Sequence, residues 1–409
     1  MSNLKKFLII SSYAPPAISG APVMMYNLLC NFPKDSFVIL TSHAHIDNRM
    51  IEHGQYLKTK YYYFDTPTLT TSLKKEGSFF QKAKNFFKKS ILLKNVIQFL
   101  FIFYLPFNII RYGRRIIKEE NIEIILAYSD HGPALFSSYL LHKITKKPLF
   151  IYFYDLYKGN NFPFSHRVLA KFLEPRLFKS AQKIFVMAEA LGEHYKNMYK
   201  RDVFVIHNSL PIKAENFDNL LIRNNPAKIV FTGTIYWCQA APIRNLIKAI
   251  EELKDENVQL WLYTPSNKKA LNEQGIFESQ RVLFKYGMPS EMSEIQKNAD
   301  ILFVPLTFEK EHQLLINTSS PGKTYEYLSS GRPILIHAPA KSYISQYGKK
   351  YNFAMVVDED DLAKLQKGIV ELLNNKKLVS EMNANARKVL EASHDAFKNS
   401  KAFQKEFYE

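Results

Sequence analysis

Three residues in the stretch NTSSPGKTYEYLSSGRPILI, Asn317 to Ile336, could do chemistry together: Gly322, Lys323 and Glu326. A lysine and a glutamate three apart share one face of a helix. A helix start offers unpaired backbone N–H groups and a partial positive charge, and a glycine there lets an anion come close. The set suits a phosphate with a hydroxylated ring beside it. Ser320 is an N-cap type, Pro321 suits a first helical position, and Gly331 suits the left-handed residue after a last turn. The apolar run ADILFVPL (Ala299 to Leu306) before this helix and PILIH after Pro333 read as buried strands. Strand, loop, helix and strand make the repeating unit of a parallel sheet.

Other groups compete for a chemical role. Asp130 and His131 follow the strand-like run IEIILAYS, Ile122 to Ser129, just before Gly132 and Pro133 open a helix. They read either as a contact and proton shuttle for a bound molecule or as a capping aspartate beside a solvated histidine. Asp358, Glu359 and Asp360 match an acidic pattern that can hold a metal–nucleotide complex. Lying between FAMVV and a helix, they are expected to cap that helix instead. His43 and His45 have no third ligand in view and read as a loop pair, so no metal site is expected. The two cysteines, Cys30 and Cys238, are far apart and give neither zinc spacing nor a disulfide framework, which fits a reducing compartment.

The elements that must position these residues alternate almost throughout. KFLIISS, FVILTS, IEIILAYS, PLFIYFYD, KIFVMA and VFVIHNS (Val203 to Ser209) read as strands separated largely by helical patterns. Around Leu210 to Pro226 the pattern lapses into a polar, Asn-rich linker. A second series follows in KIVFTGT, a helix from about Pro242 to Leu253, VQLWLYT, VLFKYG, a helix over Ser290 to Lys297, and DILFVPL. With 409 residues, two hydrophobic cores are expected. The expected division is 1–209, a linker over 210–227, a second domain over 228–390, and 391–409 as a terminal helix that returns to the first domain. The fold class is α/β: two Rossmann-like domains facing across a cleft, with ligands at the carboxyl ends of the strands. The N-terminal MSNLKKFLIISSYAPP reads as a first strand running into a loop, since its apolar run is too short for a signal segment.

In this order and spacing the chain resembles the retaining GT-B glycosyltransferases, of the glycosyltransferase family 4 (group 1) type. The resemblance covers nearly the whole chain and rests on IISSYAPPAISGAPVMMYNLL, VFVIHNSLP, IVFTGTIYW, VLFKYGMPSEMSEIQKNADILFVPL and PGKTYEYLSSGRPIL. It implies that Glu326 holds the ribose hydroxyls of a nucleotide-sugar donor and that Gly20 and Gly233 let backbone approach the diphosphate. Donor contacts are then expected from Thr234, Arg244, Thr318, Ser320, Gly322 and Lys323 as well. Asp130, His131, Asp155 and Lys323 are the candidates for the chemistry. Four positions depart from the family pattern. Its first glutamate falls at Thr318, its arginine at Thr234, its lysine near Ala240, and its acceptor-side histidine at Tyr154 beside Asp155. Lys323 is the expected replacement cation for the diphosphate, with Arg244 second.

The formal net charge of +17 points to anionic partners. From Lys74 to Lys118 there are eleven basic residues against one acid, Glu76. Within FFQKAKNFFKK the residues Phe79, Phe80, Ala83, Phe86 and Phe87 fall on one helical face. VIQFLFIFYLPFNII (Val96 to Ile110) is too short and too interrupted to cross a bilayer. Region 79–118 is read as an interfacial segment on an anionic membrane surface, against packing on the first sheet as the plainer reading. The expected partners are thus a nucleotide-sugar donor, a glycan or lipid-linked acceptor and an anionic membrane, with no nucleic acid. No cofactor beyond the co-substrate is expected. The implied setting is cytoplasmic, peripheral on the inner face of a bacterial cytoplasmic membrane, in cell-surface polysaccharide or lipopolysaccharide synthesis. A GT-B sugar-nucleotide epimerase and a non-catalytic GT-B subunit are the alternatives.

Overall fold

A computed structural model describes residues 4–17, 20–42, 56–64, 91–212 and 223–408. The expectations for His43 and His45 and for the helix over residues 79–89 lie outside them. The chain forms two compact units, Met1–Ile206 with Ser400–Glu409, and His207–Asn399.

The first unit runs β1 (Phe7–Ile10), α1 (Gly20–Leu29), β2 (Phe37–Ser42), β3 (Lys60–Phe64), α2 (Ile91–Glu119) and β4 (Ile124–Tyr128). It continues α3 (Pro133–Thr145), β5 (Leu149–Phe153), α4 (Phe164–Ser180), β6 (Lys183–Val186), α5 (Glu189–Tyr199) and β7 (Phe204–Val205). All pairings are parallel, in the order β3-β2-β1-β4-β5-β6-β7. Strands buried on both faces must be apolar without alternation, and FLII, IILAY and LFIYF are. The edge strand KYYYF is only half-buried, and its polar look hid it in the sequence. One face of the sheet packs on α1 through Phe7, Ile9, Met25 and Leu28, and takes in Phe403 of the last helix and Phe407 just after it. The strand expected over Val203 to Ser209 shrinks to two residues, because from His207 the chain belongs to the second unit.

The second unit runs β8 (Ala227–Thr232), α6 (Trp237–Glu252), β9 (Val258–Tyr263), α7 (Lys268–Glu273), β10 (Val282–Lys285), α8 (Met292–Lys297) and β11 (Ile301–Pro305). Two short helices follow, α9 (Gln313–Thr318) and α10 (Lys323–Leu328), then β12 (Ile334–His337), α11 (Tyr343–Tyr351) and β13 (Met355–Val357). The helices α12 (Leu362–Asn374), α13 (Lys376–Ser393) and α14 (Ala396–Lys405) end the chain, α14 crossing into the first unit. The strand order is β10-β9-β8-β11-β12-β13, again parallel. Its core is built from Ile229, Phe231, Leu260, Leu262 and Phe303 against Ile243, Leu246 and Ile250 of α6.

Several boundaries differ from expectation. Helix α6 begins at Trp237, with Pro242 inside it rather than at its start. Lying at the sixth helical position, Pro242 has no N–H to give the Cys238 carbonyl, and the helix runs on through it. The acidic run before α12 does not cap it. Asp361, the next residue, accepts from the Lys364 N–H at 3.0 Å. Asp358 pairs with Lys349, Glu359 with Lys364, and Asp360 accepts from the Asn245 amide at 2.5 Å. Among the described residues no group of three or more His, Cys, Asp or Glu could hold a metal ion.

Candidate functional site

In an open parallel sheet, ligands collect at the carboxyl ends of the strands where the strand order reverses direction. In the first unit that point lies between β1 and β4, and in the second between β8 and β11. Most of the singled-out residues gather at these two places, so each unit carries its own cluster.

In the second unit β8 ends at Thr232 and the chain turns at Gly233, whose φ of +108 strongly favours glycine. The Gly233 N–H donates to the Tyr263 carbonyl at 2.8 Å, so this residue offers space rather than a free donor. A Cβ there would lie 3.9 Å from both Cε and Nζ of Lys323. Helix α10 puts the lysine in that place. The Thr232 N–H donates to the Tyr327 hydroxyl at 2.9 Å, tying the helix to the end of β8. Lys323 lies one turn before Tyr327 and therefore on the same face. Its half-buried ammonium rests 3.5 Å from the centroid of the Phe231 ring. Burial pushes this ammonium down to about 7, against the pull of Cys238 and the Glu326 carboxylate.

Glu326 is half-buried three residues on, and its Oε2 accepts from the Gln296 amide at 3.1 Å. Burial raises its pKa, against the lowering effects of Gln296, Lys323 and the Tyr325 hydroxyl. Gln296, on α8, also reaches the Thr232 hydroxyl at 3.4 Å. Nothing in the sequence marked Gln296, because its role comes from the packing of α8 beside the end of β8.

The helix start itself differs from the expected one. Helix α10 begins at Lys323 with Gly322 as its N-cap and no side-chain cap, so Ser320 does not cap it. Pro321 disfavours helical backbone at Ser320, and its carbonyl accepts from the Thr324 N–H at 3.0 Å, delaying the helix by a short turn. With six residues, α10 supplies a positioned side chain rather than a strong helix dipole. Gly322 and Ser320 are half-buried beside it, and a Cβ at Gly322 would lie 3.6 Å from the Asn208 amide nitrogen. Gly331 does take the left-handed conformation, with φ of +69.

Two expected donor contacts are turned elsewhere. Arg244 donates to the Gln274 carbonyl at 2.7 Å and lays its stem against Gly275, because position 244 faces α7 rather than the turn at Gly233. Thr318 is buried in α9 and donates to the Leu314 carbonyl at 2.8 Å, its own preceding turn. Thr234 is half-buried in the glycine turn. Next to it stand Trp237, whose ring lies 5.2 Å from His312, and the half-buried Cys238.

In the first unit Asp130 follows β4. Its carboxylate accepts from the Gly132 N–H at 2.7 Å, the Ala134 N–H at 3.2 Å and the Ser12 hydroxyl after β1. The Asp130 carboxylate thus lies against the start of α3, whose N-cap residue is Gly132. His131 is exposed, with its ring 6.3 Å from Tyr13, 5.3 Å from Phe162 and 6.1 Å from His166. Burial lowers the His166 pKa, and His131 lowers it further. Phe162 and His166 went unmarked because they come from the loop and helix after β5, far from Asp130 in sequence. Gly132 has φ of +127, and a Cβ there would meet Leu169 and the Tyr157 hydroxyl at 2.8 Å. Asp155 is half-buried after β5, beside Tyr154, whose hydroxyl donates to the Ala21 carbonyl at 3.2 Å. Gly20 opens α1, and a Cβ there would meet nothing within 4 Å.

Residues 226–375, which lie within the second unit, match the family model described as glycosyl transferases group 1. No curated protein sequence matches the chain. Solved structures similar to it over nearly its whole length include HepE of Anabaena in complex with UDP and glucose. That similarity has a TM-score of 0.66 at 13% identity, covering 98% of this chain and 99% of that one. Sucrose-phosphate synthase of Thermosynechococcus elongatus has a TM-score of 0.69 at 12% identity, covering 98% of both chains. A glycosyltransferase of Rickettsia africae ESF-5 has a TM-score of 0.63 at 11% identity, covering 99% of this chain and 98% of that one. HepE has also been solved with UDP-glucose. The fold is GT-B, with two Rossmann-like domains.

Proposed function

We propose that the chain is a retaining, metal-independent glycosyltransferase that moves a sugar from a UDP-sugar to a membrane-associated glycan or lipid-linked acceptor. Its setting is cell-surface polysaccharide synthesis on the inner face of a bacterial cytoplasmic membrane. The observation that carries this reading is the Lys323 ammonium set against the Gly233 turn, one helical turn from Glu326. Glu326 accepts the ribose hydroxyls while Gln296 holds its other side. Gly233 leaves room for the diphosphate, and Lys323 meets its charge. As the bond from the anomeric carbon to the diphosphate breaks, negative charge gathers on the leaving oxygen, and a fixed ammonium there lowers the barrier. The GT-B neighbours that hold UDP and UDP-glucose support a UDP-sugar as donor. The acceptor falls to the first unit, at the His131 and His166 cluster on its switch point.

A titration of the whole protein with UDP, followed by release of free sugar from UDP-sugars in the presence of a chelator, tests the reading. Binding with slow, metal-independent donor hydrolysis is expected. Absence of UDP binding would overturn it, and binding without any turnover would identify a non-catalytic subunit.

A further inference from the structure

Helix α4 turns an unusual face to solvent. Phe164 and Phe172 are 60% and 58% exposed, and Arg167, Lys171, Arg176 and Lys179 stand exposed among them. These six positions fall within one half of the helix circumference at 100° per residue. None of the four cations pairs with a carboxylate among the described residues, and Arg176 reaches only the Phe172 carbonyl. The single acid of the helix, Glu174, is fully buried just beyond the edge of this face. It accepts from the Lys158 N–H at 2.7 Å and from the hydroxyls of Tyr199 and Tyr195 at 2.7 and 3.2 Å. Helix α2, which packs on α4, adds an exposed Phe107 and an exposed Arg111. Exposed phenyl rings interleaved with unpaired cations fit the boundary between lipid head groups and acyl chains, where each finds a partner. Water alone would satisfy the cations but leave the rings uncovered.

We propose that the outer face of α4 docks on an anionic lipid leaflet and sets the His131–His166 cluster at that surface. The cluster lies where α4 starts, since Phe162 and His166 both border His131. A lipid-linked acceptor would then meet the cluster with its polar head while its chains stay in the membrane. That last step rests on the acceptor reading given above; the docking does not. Among the described residues no helix is long and apolar enough to cross a membrane, so the contact lies along the surface.

The test uses the full chain in vesicle co-sedimentation, with phosphatidylcholine alone and with equal parts phosphatidylcholine and phosphatidylglycerol. Binding to the mixed vesicles only, weakening as salt rises, is expected. Replacing Arg167, Lys171, Arg176 and Lys179 together with Gln should weaken it several-hundred-fold, at roughly fivefold per cation. Phe164→Ser with Phe172→Ser should cost about tenfold or more and should act on binding at high salt as well. Both variants should keep wild-type UDP affinity and thermal midpoints. Undiminished binding by the fourfold variant, equal binding to neutral vesicles, or binding to heparin but not to vesicles would each overturn the docking. Vesicle binding that follows these expectations in a protein that binds no UDP would uphold the docking while removing the transferase reading.

Discussion

The ammonium of Lys323 is held near neutrality by its burial beside Phe231, and this has consequences for binding and for stability. A lysine with an ordinary value of 10.5 keeps its proton in the unfolded chain to a higher pH than it does here. Between about pH 7 and 10.5 the unfolded chain therefore binds more protons at this residue, and its effect on stability becomes more favourable as pH rises. Lys323→Met should flatten that slope in denaturation curves taken across the window. An arriving diphosphate favours the charged form, so UDP binding should take up a proton at and above about pH 7, and affinity should decline as the solution grows more alkaline. Calorimetry in two buffers of different ionisation enthalpy reads the uptake directly. No uptake in the wild type would separate Lys323 from the diphosphate. Lys323→Ala should lower turnover by about 10²–10³-fold, and more than it lowers donor affinity, because the contact strengthens as charge develops. Glu326→Ala loses charge-assisted bonds worth about 1.5–3 kcal/mol, so donor affinity or turnover should fall roughly ten- to hundredfold with folding intact. Unchanged kinetics in Glu326→Ala would remove the ribose from this helix.

Among the elements, the first sheet is tied at one end by a single carboxylate. Glu120, just after α2, accepts from the ammonium groups of Lys6 and Lys60 at 2.8 Å and from the Tyr62 hydroxyl at 2.7 Å. Those bonds hold its pKa down to about 2, against burial. The stability this provides is complete above the unfolded value of 4.5 and is lost as pH falls toward about 2. Glu120→Gln should cost about 2 kcal/mol and lower the melting temperature of the first unit by about 4–8 °C, measured by calorimetry at neutral pH. At pH 2 the difference from wild type should narrow, and a constant difference would mean the charge is not responsible. The strands that Glu120 joins show why the fold was only partly legible. FLII and IILAY are buried on both faces and read as strands on composition alone. KYYYF pairs only at an edge, where tyrosines keep one side wet, so no apolar run announced it. Helices α9 and α11 escaped because they are short, six and nine residues, and of mixed polarity. At the site, Lys323 and Glu326 were legible because three-residue spacing on a helix fixes a shared face. Arg244 was misplaced because spacing along α6 does not say which way its face turns. Gln296 and His166 depend on packing between distant segments, which no local pattern encodes.

At the scale of the whole molecule, each unit has its own apolar core, and heating should resolve two transitions. UDP at about a hundred times its dissociation constant should raise one of them, by about 2.7 kcal/mol of added stability, and leave the other in place. Glu120→Gln should lower the transition that UDP leaves alone, which assigns each to its unit in a calorimetric scan. A single transition moved equally by both would show that the units unfold together. The first core is closed by the end of the chain. Phe403 and Phe407 are fully buried in it, and the Phe407 ring lies 4.3 Å from Phe7. The Lys5 N–H donates to the Phe407 carbonyl, and Lys183 pairs with Glu406. On the ribosome, strands β1 to β7 emerge before any residue of the second unit. Their aromatic face then waits while roughly two hundred further residues are added, about 10–40 s at ordinary elongation rates. A nascent chain in that interval carries a finished sheet with an uncovered wall, the kind of surface that holdase chaperones bind. The half of the protein that is translated first is therefore the half that matures last.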